Sequence, residues 1–227
     1  MCGFVGFISP QAQDDLRHQN ALAANTIFHR GPDADGHYFE DNFGVCFRRL
    51  AIIDLTDSGN QPMVSRNQRY VLVFNGEIYN FKSLNSLLRK EFLGLQSDSA
   101  VLLELISQFG IHEAIQKIEG MFSIAIWDKQ SKEVMLIRDR AGEKPLYFGE
   151  SNKLFVFGSE IQIFKEFKKF SLNLDSQSIK DYTKYSCIPA PKSIYKNVFK
   201  VLPGHMLRIS IGDVQESLRN VKQIPYW

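Results

Sequence analysis

Met1-Cys2-Gly3-Phe4-Val5-Gly6-Phe7-Ile8-Ser9-Pro10 is the stretch on which the fold turns. From Phe4 to Ile8 the chain is short, continuous and apolar, which reads as a buried strand. The segment lacks the basic leader and longer apolar core of a signal peptide. Cys2 stands directly behind Met1 and before Gly3. Small residues at this place favour removal of the methionine, which would make Cys2 the N-terminal residue. A thiol is a strong nucleophile only as the thiolate, and a neighbouring base can take its proton. A free α-amine titrates at about 8 in a model chain, so it can be that base without a histidine. On position alone, Cys2 reads more readily as a small hydrophobe near a chain end.

Working outward, Asp14 to Ile27 carries Leu16, Leu22, Ala23 and Ile27 at roughly helical spacing, and His29-Arg30-Gly31-Pro32-Asp33 marks a turn. Strands are expected at Tyr38-Phe39 and at 44–53 around an Asp41-Asn42 turn, then from Arg69 to Asn75. Helices are expected over 81–92, 98–109 and 111–118, with Gly110 as a stop. Strands resume over 121–128, 133–138, 146–150 and 153–158. Strands on both sides of a helical block suggest two sheets with helices outside, an α+β sandwich. After Phe167 the character changes: a short helix is expected over 172–185, then the extended run Cys187-Ile188-Pro189-Ala190-Pro191 and a turn at Leu202-Pro203-Gly204-His205.

The 227 residues carry 27 basic and 25 acidic side chains, a net charge of +2. So small an excess leaves no electrostatic footprint for nucleic acid or an anionic membrane. No apolar run reaches membrane-spanning length. Three cysteines, Cys2, Cys46 and Cys187, suggest neither a disulfide framework nor a metal motif, and a reducing cytoplasm is the default.

The residues that carry chemistry form a small set. Asn75 offers an amide donor, and Gly76 lets a substrate approach a bare backbone N–H; together they would make an oxyanion hole. Asn-Gly is equally a hairpin-turn signal. Arg49, in a strand-like run, could bind a carboxylate through both arms of its guanidinium. Asp98 follows Ser97 at an expected helix start, where it could be a cap or dipole-favouring charge, or an acceptor for an α-ammonium group. An arginine and an aspartate so used would suit a free amino acid.

In order along the chain stand Met1-Cys2-Gly3 with Gly6, His29-Arg30-Gly31-Pro32-Asp33, Arg49-Leu50-Ala51-Ile52-Ile53-Asp54, Gln61-Pro62-Met63, Phe74-Asn75-Gly76-Glu77-Ile78-Tyr79-Asn80, Ser97-Asp98 and Gly120-Met121-Phe122. Arg138-Asp139-Arg140, Gly142-Glu143-Lys144-Pro145-Leu146-Tyr147 and Phe157-Gly158-Ser159-Glu160-Ile161 complete them. On these motifs the chain resembles the N-terminal glutaminase domain of asparagine synthetases, among the class II (N-terminal-nucleophile) glutamine amidotransferases. The tail, Ile188-Pro189-Ala190-Pro191-Lys192-Ser193-Ile194-Tyr195 and Leu202-Pro203-Gly204-His205, resembles the synthetase connector.

The resemblance implies a four-layer αββα N-terminal-nucleophile hydrolase sandwich, with a glutaminase domain at 1–167 and, at 168–227, a connector toward an ATP-dependent synthetase domain absent here. It implies Cys2 as nucleophile, its own α-amine as base, and an oxyanion hole at Asn75 and Gly76. Arg49 would bind the carboxylate of L-glutamine, Asp98 with Glu77 its ammonium, and backbone around Ile52 and Ile53 would line the site. No metal or cofactor is expected in this chain, since ATP and magnesium belong to the synthetase domain and no glycine-rich phosphate motif is present. The implied partners are L-glutamine and an ATP-dependent synthetase domain or subunit, and a homodimer is compatible with the sequence. Arg30-Gly31-Pro32-Asp33 and Arg138-Asp139-Arg140 read as structural pairings. Gln96 and Ala100 depart from the family's usual residues. A non-catalytic docking or regulatory module, and an amidotransferase for another acceptor, are the alternatives.

Overall fold

The computed structural model describes residues 1–11, 14–51, 59–90, 95–218 and 221–227. Its strands are β1 (Gly3–Ile8), β2 (Ala34–Phe39), β3 (Phe43–Arg49), β4 (Met63–Val64), β5 (Tyr70–Ile78), β6 (Gly120–Asp128), β7 (Glu133–Arg138), β8 (Tyr147–Ser151), β9 (Leu154–Gly158), β10 (Val198–Lys200), β11 (His205–Ser210) and β12 (Gln223–Pro225). The helices are α1 (Asp14–Thr26), α2 (Phe81–Asn85), α3 (Asp98–Phe109), α4 (Ile111–Lys117), α5 (Ser176–Tyr185) and α6 (Ile211–Gln215). One six-stranded antiparallel sheet runs β10-β8-β9-β1-β3-β2, and a second runs β12-β11-β7-β6-β5-β4.

Alternation along each strand explains the layering. In β1, Phe4 and Ile8 point between the sheets, while Val5 and Phe7 point outward against Leu16, Ala23 and Ile27 from the α1 region. In β5, Val71 and Val73 point between the sheets, and Tyr70, Leu72 and Phe74 point outward against Val101, Leu102 and Leu105 of α3. Each of these strands is apolar on both faces because each lies between a helical layer and the opposite sheet. The expected αββα sandwich is therefore the observed fold. Aromatic rings fill the middle: Phe43 stacks on Trp127 with centroids 4.4 Å apart, and Phe157 lies 6.5 Å from Phe43 and 6.1 Å from Phe155.

Local differences from the sequence reading have physical causes. α2 ends at Asn85 rather than continuing to 92; Ser86 and Leu87 close onto Ser83 and Leu84 through short-range backbone bonds, and residues 91–94 lie outside the described set. α5 begins at Ser176 because the Asp175 side chain caps the N–H groups of Gln177 and Ser178. The tail expected as a connector is woven into both sheets. β10 adds to β8, while β11 is an interior strand between β7 and β12. No helix among the described residues is long and apolar enough to cross a membrane.

Phe157 is fully buried at the centre of the inter-sheet layer. Replacing it with alanine should cost about 3–5 kcal/mol of stability, read as a lower urea midpoint at unchanged slope.

Candidate active site

At one end of the sandwich the inward-facing positions stop being apolar. In β1 the inward register that holds Phe4 reaches Cys2. In β3 the register of Phe43, Val45 and Phe47 reaches Arg49, and in β5 the register of Val71 and Val73 reaches Asn75 and then Glu77. In β6 the register of Trp127 and Ala125 reaches Ser123. A cavity of about 120 Å³ opens here, lined by Cys2, Arg49, Asn75, Gly76, Glu77 and Asp98, with Met1, Gln61 and Lys144 also on its wall; Ser123 stands behind it, bonded to Asn75. Every expected site residue that is described therefore meets in one place. Ile52 and Ile53 lie outside the described residues.

Asn75 and Gly76 are not a hairpin turn. They sit inside β5, opposite Ser123 and Phe122 of β6. The other edge of β5 is covered by β4 only at Val71 and Leu72. Beyond it, the buried Gln61 side chain takes over: its oxygen accepts the Phe74 N–H at 2.6 Å and its amide donates to the Phe74 carbonyl at 3.2 Å. Four residues further, the Ile78 N–H donates to Asp98 at 3.0 Å. Alternate N–H groups of a strand point to the same edge, so the Gly76 N–H, midway between Phe74 and Ile78, points into the cavity. The Asn75 amide donates one hydrogen to Ser123 Oγ at 3.5 Å, and its second hydrogen remains for a ligand.

The Cys2 sulfur lies against the Leu50 backbone, 3.5 Å from its carbonyl and 3.4 Å from its amide nitrogen. Burial pushes the thiol above its ordinary range; the Leu50 hydrogen bond, the nearby N-terminal amine, Arg49 and Arg30 oppose that shift. Cys46 is the contrast: buried against α1, its thiol is pushed up to about 12. Arg49 donates to Asn60 at 2.7 Å. Ser97, not Asp98, caps α3; Asp98 is the first helical residue and accepts from Ser99 at 2.8 Å as well as from Ile78. Burial raises its carboxyl above the usual range, with Glu77 adding in the same direction and the backbone donors opposing. Ala100 donates its N–H to Ser97 and does not line the cavity.

The motifs read as structural do make polar pairings, and the first also touches the site. Arg30 Nε donates to the Cys2 carbonyl at 2.9 Å while its Nη1 holds Glu160 at 2.8 Å. Sequence reasoning missed Gln61, whose sole signal was its place in the Gln61-Pro62-Met63 motif, and Ser123, which lay unmarked within the expected strand 121–128. Among the described residues, no group of three or more His, Cys, Asp or Glu is placed to hold a metal.

A family model described as "Glutamine amidotransferase domain" matches residues 1–227. The chain belongs to this family. It is 35% identical over 214 residues to asparagine synthetase [glutamine-hydrolyzing] 1 of Bacillus subtilis, covering 92% of this chain and 33% of that protein. With the second such synthetase of that organism it shares 40% identity over 165 residues, covering 71% of this chain and 22% of the relative. Amidase chry2 of Gibberella zeae is 33% identical, covering 100% of this chain and 34% of that protein. The domain thus spans roughly a fifth to a third of these relatives. Among solved structures, glutamine phosphoribosylpyrophosphate amidotransferase from B. subtilis shares the fold, with TM-score 0.68 and 18% identity, over 100% of this chain and 49% of that one.

A Cβ on Gly76 would lie 2.1 Å from the Met121 carbonyl and 2.7 Å from the Phe122 Cα, both backbone atoms of β6. Gly76→Ala should therefore force β5 and β6 apart, costing about 1–3 kcal/mol or more in a thermal melt.

Proposed function

We propose that this amidotransferase domain hydrolyses L-glutamine to glutamate and ammonia through a Cys2 thioester, and that the ammonia serves ATP-dependent asparagine synthesis from aspartate. What carries the reading is the cavity itself: a cysteine thiol, two oxyanion donors, a cation and two carboxylates meet on its wall.

On this reading Met1 is first removed, freeing the Cys2 amine. Arg49 takes the α-carboxylate of glutamine, and Asp98 and Glu77 take its ammonium, which fixes the side-chain amide over the sulfur. The amine takes the thiol proton as the sulfur attacks the amide carbon, whose electrons move onto oxygen. The Asn75 amide and the Gly76 N–H stabilise that oxyanion. Collapse returns the proton to the leaving nitrogen, ammonia departs, and a γ-glutamyl thioester remains. Water, deprotonated by the same amine, attacks the thioester and releases glutamate.

The acceptor of the ammonia, ATP and magnesium belong to a synthetase portion acting beside this domain, as in the relatives named synthetases, which extend well beyond the matched region. A cytoplasmic setting suits such a free thiol. One observation favours a second reading, amidation of a different acceptor: relatives named amidases match the whole chain at 31–33% identity.

Cys2→Ala should abolish glutamate release from glutamine while retaining glutamine binding by calorimetry; undiminished turnover would end the proposal. Arg49→Met should raise KM about ten- to a hundredfold with a smaller change in kcat, the worth of a charge-assisted hydrogen-bond pair. A glutaminase assay with and without the ATP-using portion, with identification of the amidated product, separates the two acceptors.

A further inference from the structure

Lys144 is 8% exposed and lies on the cavity wall. Lysine is almost never this buried unless it is paired. Its backbone is held firmly. The fully buried Asp139 carboxylate accepts N–H bonds from Phe122, Ala141, Glu143 and Lys144 at 2.9–3.2 Å. The Arg138 guanidinium donates to the carbonyls of Gly142, Lys144 and Val201 at 2.6–2.8 Å. This anchored turn delivers the ammonium to the Met1 end of the cavity, where Nζ lies 3.7 Å from Met1 Sδ. Among the described residues it makes no ion pair with a carboxylate. Such a placement costs solvation that a methionine or leucine would not, so packing alone does not explain it.

The charged and titratable groups around Met1 and Cys2 come from several elements. They are the Cys2 thiol, Arg30, Asp33, Arg49, Glu77, Asp98, Lys144 and, behind Arg30, Glu160. Arg30, whose Nη2 lies 3.9 Å from the same Met1 Sδ, is balanced by Glu160. Asp98 is engaged by two backbone donors. Lys144 adds positive charge that acts on the Met1 amine, one residue before the Cys2 nitrogen.

We propose that Lys144 is a positioning residue: its buried ammonium repels a second positive charge at the Cys2 α-amine and so keeps that amine neutral, able to take the thiol proton. The inference rests on the glutaminase reading. In support, the Met1 amine is already held below its ordinary range, first by burial and then by Arg30 and Lys144, against Cys2 and Asp33.

The test is the pH profile of kcat/KM for glutamine in protein whose Met1 removal is verified by mass, for the wild type, K144M, K144Q and K144R. Removing the charge stabilises the protonated amine, so the acid limb should move to higher pH. Shifts of about half a unit or more are expected in K144M and K144Q, and little change in K144R. The same shift should appear in the alkylation of Cys2 by iodoacetamide in a Cys187→Ser background, which needs no turnover. An unmoved limb in the neutral variants, an equal shift in K144R, or a rise in KM without a shift overturns the inference. Failure of the glutaminase reading shows itself separately, as no glutamate release by the wild type, and the alkylation limb then decides the Lys144 assignment alone.

Discussion

Two antiparallel sheets packed face to face impose a two-residue repeat on every strand, and the site is a consequence of that repeat. Positions facing the opposite sheet must be apolar as long as the sheets touch. At the end where they part, the same register brings Cys2, Arg49, Asn75 and Glu77 into one space, with Ser123 behind Asn75. No separate device gathers them. Phe4, Phe47, Val73 and Ala125 fix the direction of the residues two positions along, so the aromatic core is also the frame of the site. A slip of one residue in any of these strands would turn its polar group outward.

The backbone edge of β5 supplies the second element. An exposed strand edge is normally a liability to be covered. Here β4 covers it only at Val71 and Leu72, Gln61 covers Phe74, and Asp98 covers the Ile78 N–H. The gap between Gln61 and Asp98 is one residue wide, and Gly76 occupies it. Among the described residues one ladder position thus stays open between two side-chain plugs, and it is there that the proposed oxyanion would be bound. Asp98 is both a plug and a wall of the cavity, so its burial serves the strand before it serves any ligand.

Much of this was legible in the sequence. Apolar runs marked most of the strands, and the motif order marked the family and the αββα layering. Cys2, Arg49, Asn75, Gly76, Glu77 and Asp98 could be listed before any geometry was known. Asn75-Gly76 was ambiguous because local chemistry favours a turn, and pairing with β6, distant in sequence, overrides it. β10 to β12 were obscured because their contribution comes through pairing with β8 and β7, which no local pattern encodes. Lys144 stood inside a recognised motif, yet a lysine in a polar loop reads as a solvated charge; only the fold turns it inward.

The electrostatics of Cys2 contain an apparent conflict that resolves once the two groups are considered together. Burial disfavours both charged forms here, the thiolate of Cys2 and the ammonium at the chain terminus, which Met1 carries in this structure. The cations at this end of the cavity act oppositely on the two: they favour thiolate and disfavour ammonium. Transfer of the proton from sulfur to nitrogen therefore gains little from them on balance. On the proposed reading, what they do is prevent the unproductive state in which the amine takes its proton from water and can no longer accept the one on sulfur. In the proposed mechanism the charge separation is then made as the sulfur attacks, when the negative charge would pass from sulfur to the substrate oxygen and meet the Asn75 amide and the Gly76 N–H. A site working in the proposed way would spend its fixed charges on keeping the base available, and leave stabilisation of the developing oxyanion to neutral backbone and amide donors.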